Sequence, residues 1–201
     1  MRQSPRVASS GRISSSHQSF GWRALEEAQQ AGKIRSIGVS NFYADQLKDL
    51  ELTAPVKPAV NQIEVNPWYQ QDQEVKFAQG EGVQVEAWAP FAEGKHGLFT
   101  NQLIGQIAAQ HGKSNGQVIL RWLLQRGITV IPKSVHQERM AENIAVFDFT
   151  LSDGEMQAIA SLDKGVSQFF DHRDPVTIEQ IFGSSLRMVQ DSEKQQLKGA
   201  N

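Results

Sequence analysis

The sequence has 201 residues, 39% hydrophobic and 21% charged, with a formal net charge of -2. This is enough apolar material to bury a core in one globular domain or a large part of one, and the near-neutral balance argues against nucleic acid or an anionic membrane as the main partner. With no cysteine in the chain, disulfides, thiolate metal sites and cysteine nucleophiles are excluded, and a reducing cytoplasm is a compatible location.

In chain order, residues 1–20 (MRQSPRVASSGRISSSHQSF) come first, rich in Ser and Arg, free of acidic residues and without periodicity. They read as a disordered leader. An organellar transit peptide has a similar composition, but no amphipathic apolar face accompanies these arginines. Trp22, Leu25, Ala28 and Ala31 at three-residue steps predict a helix that Gly32 and Lys33 close. Ile34 to Val39 reads as a strand, Tyr43 to Leu52 as a helix with Leu47 and Leu50 inward, and Ala59 to Val65 as a second strand. A short helix over Gln73 to Gln79 ends at the Gly80-Glu81-Gly82 punctuation, and Val83 to Ala89 alternates as a third strand. A helix at about 101–111 follows, then a capping box at Ser114 and Gln117 before Val118, Ile119, Trp122 and Leu123, which share one helical face. Ile128 to Ile131 is the last strand, and a second capping box, Ser152 with Glu155, opens a helix through Leu162, with Leu151 and Met156 placed for a hydrophobic staple.

Strands alternating with helices across short connections predict right-handed βαβ units and a parallel sheet. No G-x-G-x-x-G follows a strand and no G-x-x-x-x-G-K-[ST] occurs, so neither a Rossmann site nor a P-loop is supported. The remaining architecture is an α/β (β/α)8 TIM barrel, or a piece of one with about four strand-helix units, in which chemistry gathers at the C-terminal ends of the strands. Polar residues recur there: Ser40 and Asn41, then Gln62 and Glu64 with Asn66, then Glu86 and Trp88, then Lys133 and Ser134. Asn41 and Gln62 offer the donor and acceptor pairs that an amide ligand requires, and Trp88 offers a flat face to an aromatic ring. Lys133, Ser134 and Arg139 sit where a strand turns into a helix, a place that suits an anion. Taken together, these residues favour a nucleotide cofactor.

The segments GKIRSIGVSNF, NQIEVNPWYQQ, EAWAPF and IPKSVHQERMAEN resemble, in order, the signature segments of the aldo-keto reductases, (β/α)8 enzymes that reduce aldehydes and ketones with NADPH. LDKGVSQFFDHRDP resembles the tail of microbial members. The match covers roughly residues 21–175 and places there the C-terminal half of such a barrel, with 176–201 as a tail. The resemblance implies that Ser40, Asn41 and Gln62 hold the nicotinamide carboxamide, and that Trp88 stacks on the ring. It implies also that Phe91 and the loop through Gly94 cover the pyrophosphate, that Lys133, Ser134 and Arg139 grip the adenosine 2′-phosphate, and that Glu142 and Asn143 meet the adenine. An Arg fork with a Lys recognises a phosphate well, which independently favours NADP(H) over NAD(H).

The family's catalytic Asp, Tyr, Lys and His come from the first half of the barrel, and the two tyrosines here, Tyr43 and Tyr69, lie in second-half motifs. The expectation is therefore a truncated member with no catalytic residue of its own and with nil or very weak carbonyl reduction. The alternative is a non-catalytic NADP(H)-binding or interaction module. His17, in a stretch resembling the family's His-Gln-Pro-x-Gly, is either a remnant of the catalytic histidine or a leader residue. Pro67, Trp68, Tyr69, Phe169 and Phe170 suggest an aromatic-walled pocket for a small carbonyl substrate. Open barrel edges predict self-association through unpaired strands.

Overall fold

The computed structural model describes residues 16–181 and residue 183. Its first helix, α1, spans Ser16–Gln30, starting well before the expected Trp22. Residues 16–20, assigned by composition to the leader, are thus helical, while 1–15 lie outside the described residues. Trp22 is buried and its indole N–H donates to the Val56 carbonyl at 3.2 Å, and buried Glu26 accepts from the Val56 N–H at 3.1 Å. Once those contacts hold one turn, extending it costs less than nucleating a new one.

The chain continues as β1 (Gly38–Ser40), α2 (Ala44–Thr53), β2 (Val60–Glu64), α3 (Asp72–Gly80) and β3 (Gln84–Trp88). A loop of tight turns over Ala92–Thr100 leads to α4 (Gln102–His111), α5 (Asn115–Gln125), β4 (Thr129–Val130), α6 (Gln137–Ile144) and α7 (Asp153–Ala160). Local chemistry sets most boundaries. The Asn101 side chain caps α4 by accepting from the Ile104 N–H at 3.1 Å, and Gly112 closes that helix at φ 63°. Both expected capping boxes form, Ser114 with Gln117 and Ser152 with Glu155. Two strands are shorter than their apolar runs. β1 begins only at Gly38, after buried Ile37, and β4 stops just before the Ile131-Pro132 step, where proline removes a ladder donor.

The four strands form one parallel sheet in the order β1-β2-β3-β4, so β1 and β4 are its edges. On one face Ile63, Val65, Val85 and Ala87 are buried against Val118, Ile119, Trp122 and Leu123 of α5, with Ile104 and Ile107 of α4 in the same core. The intervening Gln62, Glu86 and Trp88 belong to the other face, as strand alternation requires. Gly38 lets β1 lie against β2: a Cβ there would stand 2.7 Å from the Val60 carbonyl oxygen, so any side chain would push the pair apart.

A hydrogen bond ties the end of α4 to the start of α7, His111 Nε2 lying 2.8 Å from Glu155 Oε1. Burial alone would raise the Glu155 pKa, but hydrogen bonds from Ser152 and His111 outweigh it and hold the carboxyl below its ordinary 4.5. A group whose folded pKa is depressed contributes stability above its unfolded pKa and loses it as pH falls through the folded value. Glu155→Gln is therefore expected to lower Tm relative to the parent above pH 4.5, with the gap closing as pH falls further. A gap that stays constant down to strongly acid pH would contradict this.

Candidate functional site

The C-terminal ends of the strands carry two groups of polar residues. The first joins β1, β2 and β3. Ser40 Oγ donates to the Gln62 carbonyl at 3.0 Å, and the Asn41 N–H donates to the same oxygen at 2.9 Å. Asn41 sits in the left-handed region at φ 57°, a conformation that Asn tolerates better than most side chains. Its Oδ1 accepts from Trp88 Nε1 at 2.8 Å, which fixes the indole. Gln62 Nε2 donates to Glu86 Oε1 at 2.5 Å. Among the described residues this leaves Asn41 Nδ2 and Gln62 Oε1 without partners, one donor and one acceptor, the complement of a primary amide.

The second group lines a cavity of about 500 Å³ that contains Phe91, Lys133, Ser134, Arg139, Glu142 and Asn143. Six of the ten sequence-predicted residues therefore meet in one cavity, while Ser40, Asn41, Gln62 and Trp88 form the separate hydrogen-bonded set. The segment from Trp88 to Phe91 links the two. Ser134 Oγ accepts from the His136 N–H at 3.1 Å and shapes the turn into α6. His136 caps that helix without a side-chain hydrogen bond, so the first N–H groups of α6 are free to meet a ligand. The Gln117 side chain donates to the Ala145 carbonyl at 2.8 Å, and Arg121 to the Val146 carbonyl at 3.3 Å, fixing the end of α6 against α5. Among the described residues neither Lys133 nor Arg139 has an ion-pair partner, and two cations against the single carboxylate of Glu142 on one cavity favour an anion.

Sequence reasoning missed Phe99 and the Ser114-Asn115-Gly116 turn, which also line this cavity. The capping box at Ser114 marked a helix start there, but nothing local said what that start would face. Phe91 and Phe99 pack with centroids 5.2 Å apart, and Gly116 lies beside both rings, where a Cβ would make ordinary contact at 3.8 Å. The loop over them is strained: Ala89, Ala92, Glu93 and His96 all have positive φ, a cost that proteins tend to concentrate at functional sites.

The expected aromatic pocket needs correction at Pro67, Trp68 and Phe169, none of which lines the cavity that Tyr69 and Phe170 share. Trp68 is buried in the core and Lys164 covers its ring at 4.5 Å, so it is no pocket wall; the tight Asn66-Tyr69 bridge turns it inward. Tyr69 and Phe170 do line a cavity of about 360 Å³, whereas Phe169 packs on Trp88 at 5.1 Å. The tail that brings them is pinned at buried Glu64, which accepts from Ser167 Oγ at 2.5 Å and from the Gln168 N–H at 3.0 Å. The side chain of His17 lies outside the described residues. No group of three or more potential metal ligands occurs among the described residues, and none of their helices is long and apolar enough to cross a membrane.

The profile of the Aldo/keto reductase family matches residues 13–164. Glyoxal reductase of Bacillus subtilis is 47% identical over 143 residues, which cover 71% of this chain and 51% of that protein. A probable NAD(P)H-dependent D-xylose reductase of Emericella nidulans is 45% identical over 157 residues, covering 72% and 49%. Among solved structures, an aldo-keto reductase of the silkworm Bombyx mori complexed with NADPH superposes with a TM-score of 0.71 at 37% identity, over 74% of this chain and 48% of that one. The chain spans about half the length of the curated relatives it matches. These likenesses show the fold as that of the (β/α)8 barrel, of which the described residues supply four parallel strands with their helices.

Proposed function

Because the chain belongs to the aldo/keto reductase family, we propose that it binds NADP(H) across the ends of its four strands and serves carbonyl reduction. The observation that carries this reading is the cavity in which Lys133 and Arg139, without ion-pair partners among the described residues, meet Ser134, Glu142 and Asn143 at the free start of α6. In this reading Lys133 and Arg139 hold the 2′-phosphate, and Glu142 with Asn143 meets the adenine. Phe91 and its strained loop cover the pyrophosphate. Asn41 Nδ2 and Gln62 Oε1 take the carboxamide beside Ser40, and Trp88 offers its face to the ring. The bound nucleotide supplies a hydride to a carbonyl carbon.

Catalysis by these 201 residues alone is a different matter, and here the reading is nil or very weak turnover. Reduction needs an acid of matched pKa at the carbonyl oxygen. The sequence has two tyrosines, and both are shifted the wrong way. Burial, with nearby carboxylates and Tyr43, pushes Tyr69 up to about 12, and burial is also the main cause that raises Tyr43. This favours a nucleotide-binding role for the chain as it stands. The test is a titration with NADPH followed by tryptophan fluorescence, together with a turnover assay on a generic aldehyde. Saturable quenching without turnover is expected. Absence of quenching would remove the binding reading, and steady turnover would remove the claim of inactivity.

A further inference from the structure

The turn that carries Asn41 from β1 into α2 is held by a residue that belongs to neither polar group at the strand ends. Asn61, the second residue of β2, is 1% exposed, and alternation along the strand turns it away from Gln62, to the face where Ile63 packs. An amide in that apolar layer must take its hydrogen bonds from protein groups. Asn61 takes both at one residue: its Nδ2 donates to the Phe42 carbonyl at 2.8 Å, and its Oδ1 accepts from the Phe42 N–H at 3.3 Å. The two bonds stand in for a rung of the ladder. β1 pairs with β2 as far as Ser40 and Gln62, the Asn41 N–H still reaches the Gln62 carbonyl at 2.9 Å, and from Phe42 onward the chain has left the sheet.

Asn41 lies between these two fixed points at φ 57°. A left-handed residue other than glycine persists only where its surroundings over-determine it. Here they do so from three sides: the rung at Gln62 before it, the clamp on Phe42 after it, and the Trp88 indole on its own Oδ1. Farther along, the Tyr43 N–H donates to Gln46 at 3.0 Å and the Ala44 N–H to Glu74 at 2.6 Å, so those groups do not depend on Asn61. Without the clamp, the Phe42 N–H and carbonyl would have to turn toward water, and the backbone of Asn41 would turn with them. Asn41 would then lose both its hold on Trp88 and the aim of its free Nδ2. None of these partners lines the cation-lined cavity at α6, so the damage should stay at one end of the strand rim.

We propose that Asn61 is a positioning residue for the nicotinamide end of the cofactor: by clamping Phe42 it sets the left-handed turn at Asn41, and through that turn the Trp88 indole and the free Asn41 amide. The proposal rests on the NADP(H) reading above. It is tested on the whole chain with Asn61→Ala, by two measurements. The first needs no ligand and follows hydrogen exchange of the indole N–H groups by NMR, assigned through Trp88→Phe and Trp22→Phe. The Trp88 indole is expected to exchange about tenfold faster, the effect of one lost hydrogen bond, while the Trp22 indole, bonded to the Val56 carbonyl, keeps its rate. The second compares NADPH with adenosine 2′,5′-bisphosphate, which carries the 2′-phosphate and the adenine but no nicotinamide. NADPH affinity is expected to fall about tenfold, and affinity for the bisphosphate to stay that of the parent. Asn61→Asp keeps the size of the side chain and an acceptor for the Phe42 N–H; it should retain part of the NADPH affinity, and it serves where Asn61→Ala fails to fold. Both indoles exchanging faster alike, both ligands weakening alike, or unchanged NADPH affinity in a folded variant would overturn the proposal. A parent that binds NADPH no more tightly than the bisphosphate removes the nicotinamide part of the cofactor reading instead, and the Trp88 exchange rate then still decides whether Asn61 sets the turn at Asn41.

Discussion

Arg139→Ala is expected to weaken NADPH binding by about 10- to 100-fold while leaving NADH binding nearly unchanged, since a hydrogen bond to a charged group contributes about 1.5–3 kcal/mol. The asymmetry is the point of the experiment. Arg139 and Lys133 line the same cavity without ion-pair partners among the described residues, so removing either exposes no buried carboxylate and should leave the fold intact. The helix that carries Arg139 has no buried residue, which makes an indirect effect through packing small. Lys133→Ala should act in the same direction but less, because an ammonium is a point charge and a guanidinium grips phosphate through two parallel bonds. Both losses should shrink at high salt, where screening weakens exposed charge pairs. Fluorescence titrations of both nucleotides at two ionic strengths measure all of this. Equal NADPH affinity in the parent and in Arg139→Ala would sink the assignment of this cavity to the 2′-phosphate.

Trp122→Ala is the substitution expected to damage the fold most, by about 3–5 kcal/mol, the usual cost of truncating a large buried aromatic. Trp122 is the largest of the fully buried side chains, 1% exposed, and lies where α5 meets the sheet. Its ring also supports the Arg126 guanidinium at 4.4 Å. That guanidinium reaches the Gln70 carbonyl at 2.9 Å and Asp72 at 2.6 Å, joining α5 to the start of α3. Without the indole, both the core and this bridge lose their backing, and a loss of this size removes most of the stability of a marginal domain. Urea unfolding of the parent and of Trp122→Ala decides it, with Trp122→Phe as the conservative control. A loss no larger than that of the control would show that the core does not depend on this residue.

Much of the fold was legible because local physics and tertiary packing agree. The Ser114 and Ser152 boxes start α5 and α7 where capping chemistry says they should, and the apolar face from Val118 to Leu123 is the buried one. Where boundaries moved, a tertiary contact or a proline moved them. Val56, far along the chain, stabilises α1 through Trp22 and Glu26, and Pro132 follows closely on β4. Trp68 shows the limit in the opposite sense. In sequence it belongs with Tyr69, yet the Asn66-Tyr69 bridge sends the two rings to different environments.

The sequence by itself determined the parallel strand-helix order and the chemical types at the strand ends, because periodicity, caps and charge are properties of neighbours along the chain. Only the tertiary structure decided which of those residues face one another. It divided the ten candidates into a hydrogen-bonded set fixed by the Trp88–Asn41 contact and a cation-lined cavity at α6, and it added Phe99 and the Ser114-Asn115-Gly116 turn to the latter. It also brought His172, more than a hundred residues from Asn41, to the edge of a cavity that Asn41 lines. The reason is geometric: a parallel sheet collects the ends of distant segments on one rim, and no local pattern records which end lies next to which.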